Sequence, residues 1–506
     1  MEPLARPEIG RLALPALREM AASIPEIDHY ELDGIPLFHM PAAGATILTL
    51  AFGVGRAHEP VIQSGMTHLA EHLILTAIDQ ALDHSNGSTE PFRVTFTIRA
   101  SPGDASRFLR DVCDQIARPR LSRIHEEANV LRSEAAVRSN ATSIEGRLNF
   151  LRVGYQGLGK VELPELFLRH LDPEVLREWI ARHFVAGNAA IWILGQLPDD
   201  LYIALEPGPA TPLPTIETIP GYEGPTMLLD EVGGVGASFD VEPSLAVQVA
   251  LRTIEQHLKR ALRVERGLGY AISAEYRPVE KDRAVAFVFA SCLPEKVADV
   301  QRAMLETIDD VAARGPSEDE IADYCETFLR DASDPMAYPA RLDRRVQDTL
   351  MGIEPTSVAT RVDEMWRLQP DQVAAAFRAA RETMLLLLPA NAIPPNRAFK
   401  PYPQPPPGPL GQGQTFEFVP AKGTKIDRRR TPKLFVGAQG LTVDTPAGRY
   451  ASITWTDCVA VIRDDYERAI LARDGSSVVI TPESWRNGYG AIALVDRYAP
   501  AAVVVR

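Results

Sequence analysis

Two periods of apolar residues alternate along the first four-fifths of the chain. Apolar side chains recur every three to four positions in 65–82 and 244–262, which predicts amphipathic helices. Shorter segments rich in β-branched and aromatic residues, 92–100 and 284–292, predict strands. A further helical pattern follows each strand, at 105–117 and 294–315. Strands that alternate with long helices indicate an α+β fold.

The same order of elements occurs twice, which predicts an internal repeat. FGVGRAHEP at 52–60 precedes the first helix, and GGVGASFDVEP at 233–243 precedes its counterpart. Two stretches rich in Pro and Gly, 206–225 and 389–414, read as linkers because these residues interrupt regular structure. We therefore expect three domains, at 1–205, 226–388 and 415–506. The first two should be homologous units, each a sheet with helices on one side.

The last ninety residues have a different pattern. Short alternating segments are separated by turn residues, and Asp474–Gly475 is a hairpin signal. This predicts a small β-rich C-terminal domain. It is similar to a pleckstrin-homology-like barrel, through ITWTDCVAV and its final helix-like stretch.

Composition narrows the function classes. The 506 residues are 45% hydrophobic and carry a net charge of −14, which fits a soluble globular protein and argues against nucleic acid as a partner. The four cysteines are far apart and predict neither disulfides nor a cysteine zinc site. With no secretory signal or transmembrane run in the sequence, a cytoplasmic protein without a membrane partner is expected.

The strongest chemical signal is HLAEH within the first predicted helix. His68 and His72 are four residues apart, so they project from one helical face and can share one metal ion. Glu71 lies near the same face and can take a proton from water without being a ligand. Chance histidines on a plain surface helix are the alternative interpretation.

A catalytic zinc usually has three protein ligands, so a third donor is needed. Glu127 and Glu134 are seven residues apart on a later predicted helix and face the same way. One could bind the metal while the other supports it through a hydrogen bond. A solvated helix face would show the same two charges.

These motifs together resemble the pitrilysin or insulinase family of zinc peptidases, which carries the inverted motif HxxEH. The resemblance covers about residues 30–390. It implies Zn²⁺ bound by His68, His72 and Glu134, with Glu127 as the supporting acid. Glu71 would be the catalytic base. The segment between HLAEH and Glu134 is shorter than in typical members, and the gap falls after Leu82, so the rim of the site should be more open.

The resemblance also implies residues that contact substrate. NGST at 86–89 is similar to a family strand whose edge pairs with the substrate backbone, which points to Asn86 and Thr89. RVERGLGY matches the spacing of a family Arg and Tyr, which gives Arg263 a substrate-binding role and Tyr270 a catalytic one. The alternative is that these residues have ordinary structural roles. Asn86 could form a turn, Arg263 could be a surface cation and Tyr270 could be part of a core.

The resulting expectation is a zinc-dependent endopeptidase that hydrolyses peptides or small unfolded proteins in an enclosed chamber. Two such domains make half of the family's clamshell, so a homodimer with composite sites is the simplest assembly. A catalytically silent peptide-binding or scaffold subunit is the alternative of a different class. A peptidase that needs a separate partner subunit is the third.

Overall fold

The computed structural model describes residues 14–78, 84–137, 143–217, 219, 224–264, 271–395, 399–403, 413–420, 431–444 and 450–505. Within these ranges the chain forms four sheets and a set of helices packed on them. None of the described helices is long and apolar enough to cross a membrane. The expected α+β class is confirmed.

The first sheet contains six strands in the order β1-β2-β6-β3-β5-β4. Their bounds are β1 Asp28–Leu32, β2 Ile35–Met40, β3 Thr46–Phe52, β4 Ser85–Thr89, β5 Val94–Ala100 and β6 Ala189–Leu194. The helices of this unit are α2 Met66–Leu75, α3 Pro102–Ala117, α4 Ile124–Val137, α5 Ile144–Val153 and α6 Pro173–His183. Helix α1, Leu14–Ser23, instead packs on helices of the second half.

The second sheet repeats this arrangement in the order β12-β7-β11-β8-β10-β9. Its strands are β7 Thr226–Asp230, β8 Gly234–Val241, β9 Ile272–Glu280, β10 Arg283–Ser291, β11 Leu385–Pro389 and β12 Lys400–Pro401. Its helices are α7 Leu245–Leu258, α8 Val297–Arg314, α9 Glu318–Ser333, α10 Tyr338–Leu350, α11 Val358–Arg367 and α12 Pro370–Arg381. The equivalent central strands pair in the same way, β6 parallel to β2 and β11 parallel to β7, so the predicted repeat is confirmed.

Each unit contributes one helix that covers a face of the other unit's sheet. One face of the first sheet packs on α2, α3, α4 and α6, as expected. Leu342 and Val346 of α10, from the second half, cover its other face at Phe38 and Trp192. In return, α5 of the first half packs on the second sheet. Central strands β6 and β11 are buried at every position and therefore need cover on both faces.

The C-terminal part forms two four-stranded sheets and one helix. The first sheet is β13 Gly413–Glu417, β14 Lys433–Gly437, β15 Gly440–Asp444 and β16 Tyr450–Thr454. The second contains β17 Cys458–Arg463, β18 Arg468–Ala472, β19 Ser477–Ile480 and β20 Val504–Val505. The hairpin expected at Asp474–Gly475 joins β18 to β19, and α13, Gly488–Tyr498, packs in the same core. The pleckstrin-homology likeness stays a prediction.

Candidate metal and catalytic site

Helix α2 brings the HLAEH residues to one place, as their spacing predicts. His68 and Glu71 are buried, and donor atoms of His68, Glu71 and His72 all lie within 4.8 Å of one another. The two imidazole rings stand nearly perpendicular, with centroids 4.9 Å apart. The helix ends at Leu75, earlier than the apolar pattern to residue 82 suggests.

Helix α4 places Glu134 opposite the two histidines. Its carboxylate oxygens lie 3.9 Å from Nε2 of His68 and 3.6 Å from Nε2 of His72. The Glu134 side chain is 41% exposed, so this side of the cluster is open. Glu127 lies about two helical turns before Glu134 on α4. Its side chain is buried, and its Oε2 lies 3.7 Å from Nδ1 of His72. Arg123 donates to the other oxygen of Glu127, at 2.8 Å.

Strand β4 forms the wall beside Glu71. Thr89 Oγ1 donates to Glu71 Oε2 over 3.2 Å, whereas Asn86 is exposed on the same strand. β4 is the last strand of its sheet, so one of its backbone edges has no neighbouring strand among the described residues. Burial raises the pKa of the Glu71 carboxyl, and the neighbouring His68 and His72 act against that shift. A raised carboxyl pKa suits a base that must also give its proton away.

The structure describes only one of the two site residues predicted from the second half. Arg263 is exposed in a π-helical turn, Lys259–Val264, that extends α7. Tyr270 lies outside the described residues. The structure therefore brings six of the predicted site residues together on the first unit. They are His68, Glu71, His72, Thr89, Glu127 and Glu134.

One acid of the site has no sequence signal. Glu165 lies 97 residues after His68, yet its Oε1 is 2.8 Å from His68 Nδ1. Arg56 Nη2 approaches the same oxygen at 3.4 Å. No fixed spacing relates Glu165 to HLAEH, so sequence reasoning missed it.

The donor types at this point, two imidazoles and a carboxylate, are among those that bind zinc in proteins. Donors around a tetrahedral zinc at about 2.1 Å lie about 3.4 Å from one another. The two carboxylate oxygens of Glu134 are near that separation from the nitrogens, with Oε1 3.6 Å from Nε2 of His72 and Oε2 3.9 Å from Nε2 of His68. Each histidine also turns its Nδ1 toward a carboxylate, Glu165 or Glu127, which is the usual outer support of zinc-binding histidines.

Comparison with known proteins matches one part of the chain to a family model. Residues 226–328, in the second unit, match the family model described as "Peptidase M16 inactive domain". No curated protein matches the chain significantly.

Solved structures share the fold at low sequence identity. A protease from Helicobacter pylori is similar with a TM-score of 0.59 and 15% identity, over 72% of this chain and all of that one. The periplasmic protease PqqL from Escherichia coli aligns with a TM-score of 0.57 and 13% identity, over 86% of this chain and 56% of its own. Pitrilysin aligns with a TM-score of 0.55 and 15% identity, over 74% of this chain and 45% of its own. The fold is that of peptidase M16 proteins, and the match to the family model lies outside the unit that carries the His68 cluster.

Proposed function

We propose that the chain is a zinc-dependent endopeptidase with His68, His72 and Glu134 as metal ligands. The observation that carries this proposal is the approach of the Glu134 carboxylate to both Nε2 atoms, at 3.9 and 3.6 Å, with Glu71 beside them. Three donors with one open side are the usual arrangement of a catalytic zinc rather than a structural one. When bound, zinc would supply Lewis acidity at this point.

Glu71 does the proton chemistry in this proposal. Its carboxylate is next to the ligand set, and the hydroxyl of Thr89 holds one of its oxygens. It takes the proton of the attacking water and delivers it to the amine that leaves when the peptide bond breaks. Burial raises the pKa of its carboxyl, which favours the first of these transfers, from water to Glu71.

The position of strand β4 at the sheet edge is the argument for a peptide as the substrate. An edge strand offers free backbone N–H and C=O groups, and an extended peptide can pair with them as an additional strand. A substrate in that position would run past Glu71, because Thr89 of β4 already contacts it. Asn86 and Thr89 would hold the substrate from this strand, and Arg263 and Tyr270 would contact it from a second subunit.

The assembly and the location of the protein remain predictions. A homodimer would complete the chamber, because the family resemblance implies that two such units make half of a clamshell. Cytoplasmic location rests on the sequence alone, and the similar Escherichia coli protease is periplasmic.

The test combines zinc content with peptide turnover. We expect about one zinc per chain, lost in His68→Ala and His72→Ala and weakened in Glu134→Gln. Glu71→Gln should keep zinc and lose at least about 10²-fold in hydrolysis, since only the base is removed. Glu126→Gln, an exposed acid on α4, is the matched control and should behave like the wild type.

Two outcomes would contradict the proposal. Full zinc binding in both histidine variants would refute the ligand assignment. A zinc-loaded wild type that hydrolyses no member of a diverse peptide mixture would favour the silent binding subunit. Sedimentation of the active species would separate a homodimer from an enzyme that needs a different partner chain.

A further inference from the structure

The C-terminal domain docks on the part of the first unit that supports the metal site. The contact lies on residues 154–169, which we call the support segment, and on the turn just before α2. Buried apolar side chains from both sides form one cluster, made of Val61, Leu166, Ala460 and Leu471. Apolar burial of this kind is a source of binding free energy between two folded parts of a chain.

Backbone contacts fix the beginning of the support segment. Tyr155 N donates to Arg473 O over 2.9 Å, which joins the segment to the β18–β19 turn. Gly154 has φ +59, and a Cβ there would lie 2.3 Å from Arg473 O, so only glycine permits this approach. At the other end, Arg169 and Asp464 form an ion pair of 2.8 Å.

Ser64 ties the middle of the support segment to the start of α2. Its hydroxyl donates to Pro164 O over 2.7 Å and accepts from Leu166 N over 3.0 Å. Its carbonyl accepts from Phe167 N, also over 3.0 Å. These three bonds hold the backbone on both sides of Glu165.

Glu165 then reaches the metal site directly. Its side chain is only 9% exposed and accepts from His68 Nδ1 over 2.8 Å. With the proton on Nδ1, the lone pair of His68 is on Nε2, the atom that faces Glu134. The carboxylate therefore selects both the tautomer and the orientation of this histidine.

We propose that the C-terminal domain is a structural part of the metal site, because it holds the support segment whose Glu165 is the positioning residue of His68. This inference rests on the proposed zinc site. It gives the domain a role in the first unit's chemistry that the β-rich pattern alone does not indicate.

The first test removes the positioning residue in the full-length chain. Zn²⁺ affinity, measured by competition with a chromogenic chelator, should fall about 10- to 100-fold in Glu165→Ala. Glu165→Gln keeps an oxygen that can accept from Nδ1, so it should recover most of the affinity. Glu174→Ala, an exposed acid on α6, is the matched control and should bind Zn²⁺ normally.

The second test disturbs the domain contact from each side. Ala460 faces the contact, whereas the next residue, Val461, lies in the domain's own core, so Ala460→Glu should open the contact and leave the domain folded. Leu166→Ala weakens the same contact from the support segment. Both variants should lower Zn²⁺ affinity and speed hydrogen exchange in 154–169. Val479→Glu, on an exposed strand position of the same domain, is the control.

A double variant decides whether the two effects share one path. If the domain acts through Glu165, Ala460→Glu combined with Glu165→Ala should bind Zn²⁺ no more weakly than Glu165→Ala alone. Additive losses, or normal affinity in Glu165→Ala, would overturn the inference and leave the zinc site intact. A wild type without Zn²⁺ affinity would overturn both.

Discussion

Gly87 is packed against the carboxylate of Glu71. A Cβ added to Gly87 would lie 2.2 Å from Glu71 Oε1 and 2.5 Å from Leu75 Cδ1. The close approach of β4 to α2 therefore depends on a residue without a side chain. The position of Glu71, the proposed base, and the position of β4, the proposed substrate-pairing strand, are coupled at this contact.

Gly87→Ala should separate the base from the metal. The added methyl would displace Glu71, which is not a ligand, so Zn²⁺ binding should be retained while hydrolysis falls by about 10²-fold, as small displacements of catalytic groups can cost that much. Ser88→Ala, exposed on the same strand, should have normal turnover. Normal turnover in Gly87→Ala would show that Glu71 is not placed by this contact.

At the scale of elements, the N-terminus of α2 is held by a buried acid. Glu59 accepts from Gly65 N over 2.8 Å and from Thr67 N over 2.6 Å, and it is 1% exposed. These two N–H groups belong to the first turn, where no helical acceptor exists. Burial raises the pKa of Glu59 despite both bonds. A buried carboxylate therefore accepts hydrogen bonds from the N-terminus of the helix that carries both histidines.

Glu59→Ala should destabilise the first unit. Two buried N–H groups would lose their acceptor, at roughly 1–3 kcal/mol each, and relief of the buried carboxylate offsets part of this, so we expect a net loss of about 2–4 kcal/mol. Urea unfolding followed by far-ultraviolet circular dichroism measures it. An unchanged midpoint would mean that the N-terminus of α2 finds other acceptors. Glu31→Ala, exposed on β1, is the control.

At the scale of the whole molecule, the prediction is a composite site, in which each active site combines residues of two subunits. Mixing inactive Glu71→Gln chains with inactive chains that carry Arg263→Ala and Tyr270→Phe should restore some peptide hydrolysis after subunit exchange. In a mixed dimer, one site would then contain both lesions and the other none. Peptide turnover measured over the time of subunit exchange provides the readout.

The control for this mixture replaces the second chain with one that carries all three changes. Every site then lacks its base, so no activity should return. Absence of recovery in the first mixture, with both variants shown to be dimeric, would mean that Arg263 and Tyr270 act within their own chain or not at all. A monomeric and fully active wild type would also exclude the composite site, without affecting the zinc ligands.

Local hydrophobic periodicity and residue spacing were sufficient to predict much of the fold and part of the candidate site. The strands around Phe96 and Phe287 and the helices after them could be predicted, because hydrophobic period reports secondary structure directly. The spacing of His68 and His72 was also enough, since a helix brings such residues to one face. Glu127 and Glu134 on α4 follow the same rule.

Only the tertiary structure decided how distant segments meet. The spacing of His68 and Glu165 along the chain carries no information, because the contact depends on Ser64 and on the docking of the C-terminal domain. Local sequence also does not show that α10 packs on the first sheet and α5 on the second. The continuous apolar run of β11 requires cover on both faces of the sheet, but it does not indicate which helix provides that cover. Sequence determined which residues can act together on one element, since that depends on backbone geometry over a few residues. The packing of whole units determined which carboxylate orients His68 and which strand lies beside Glu71.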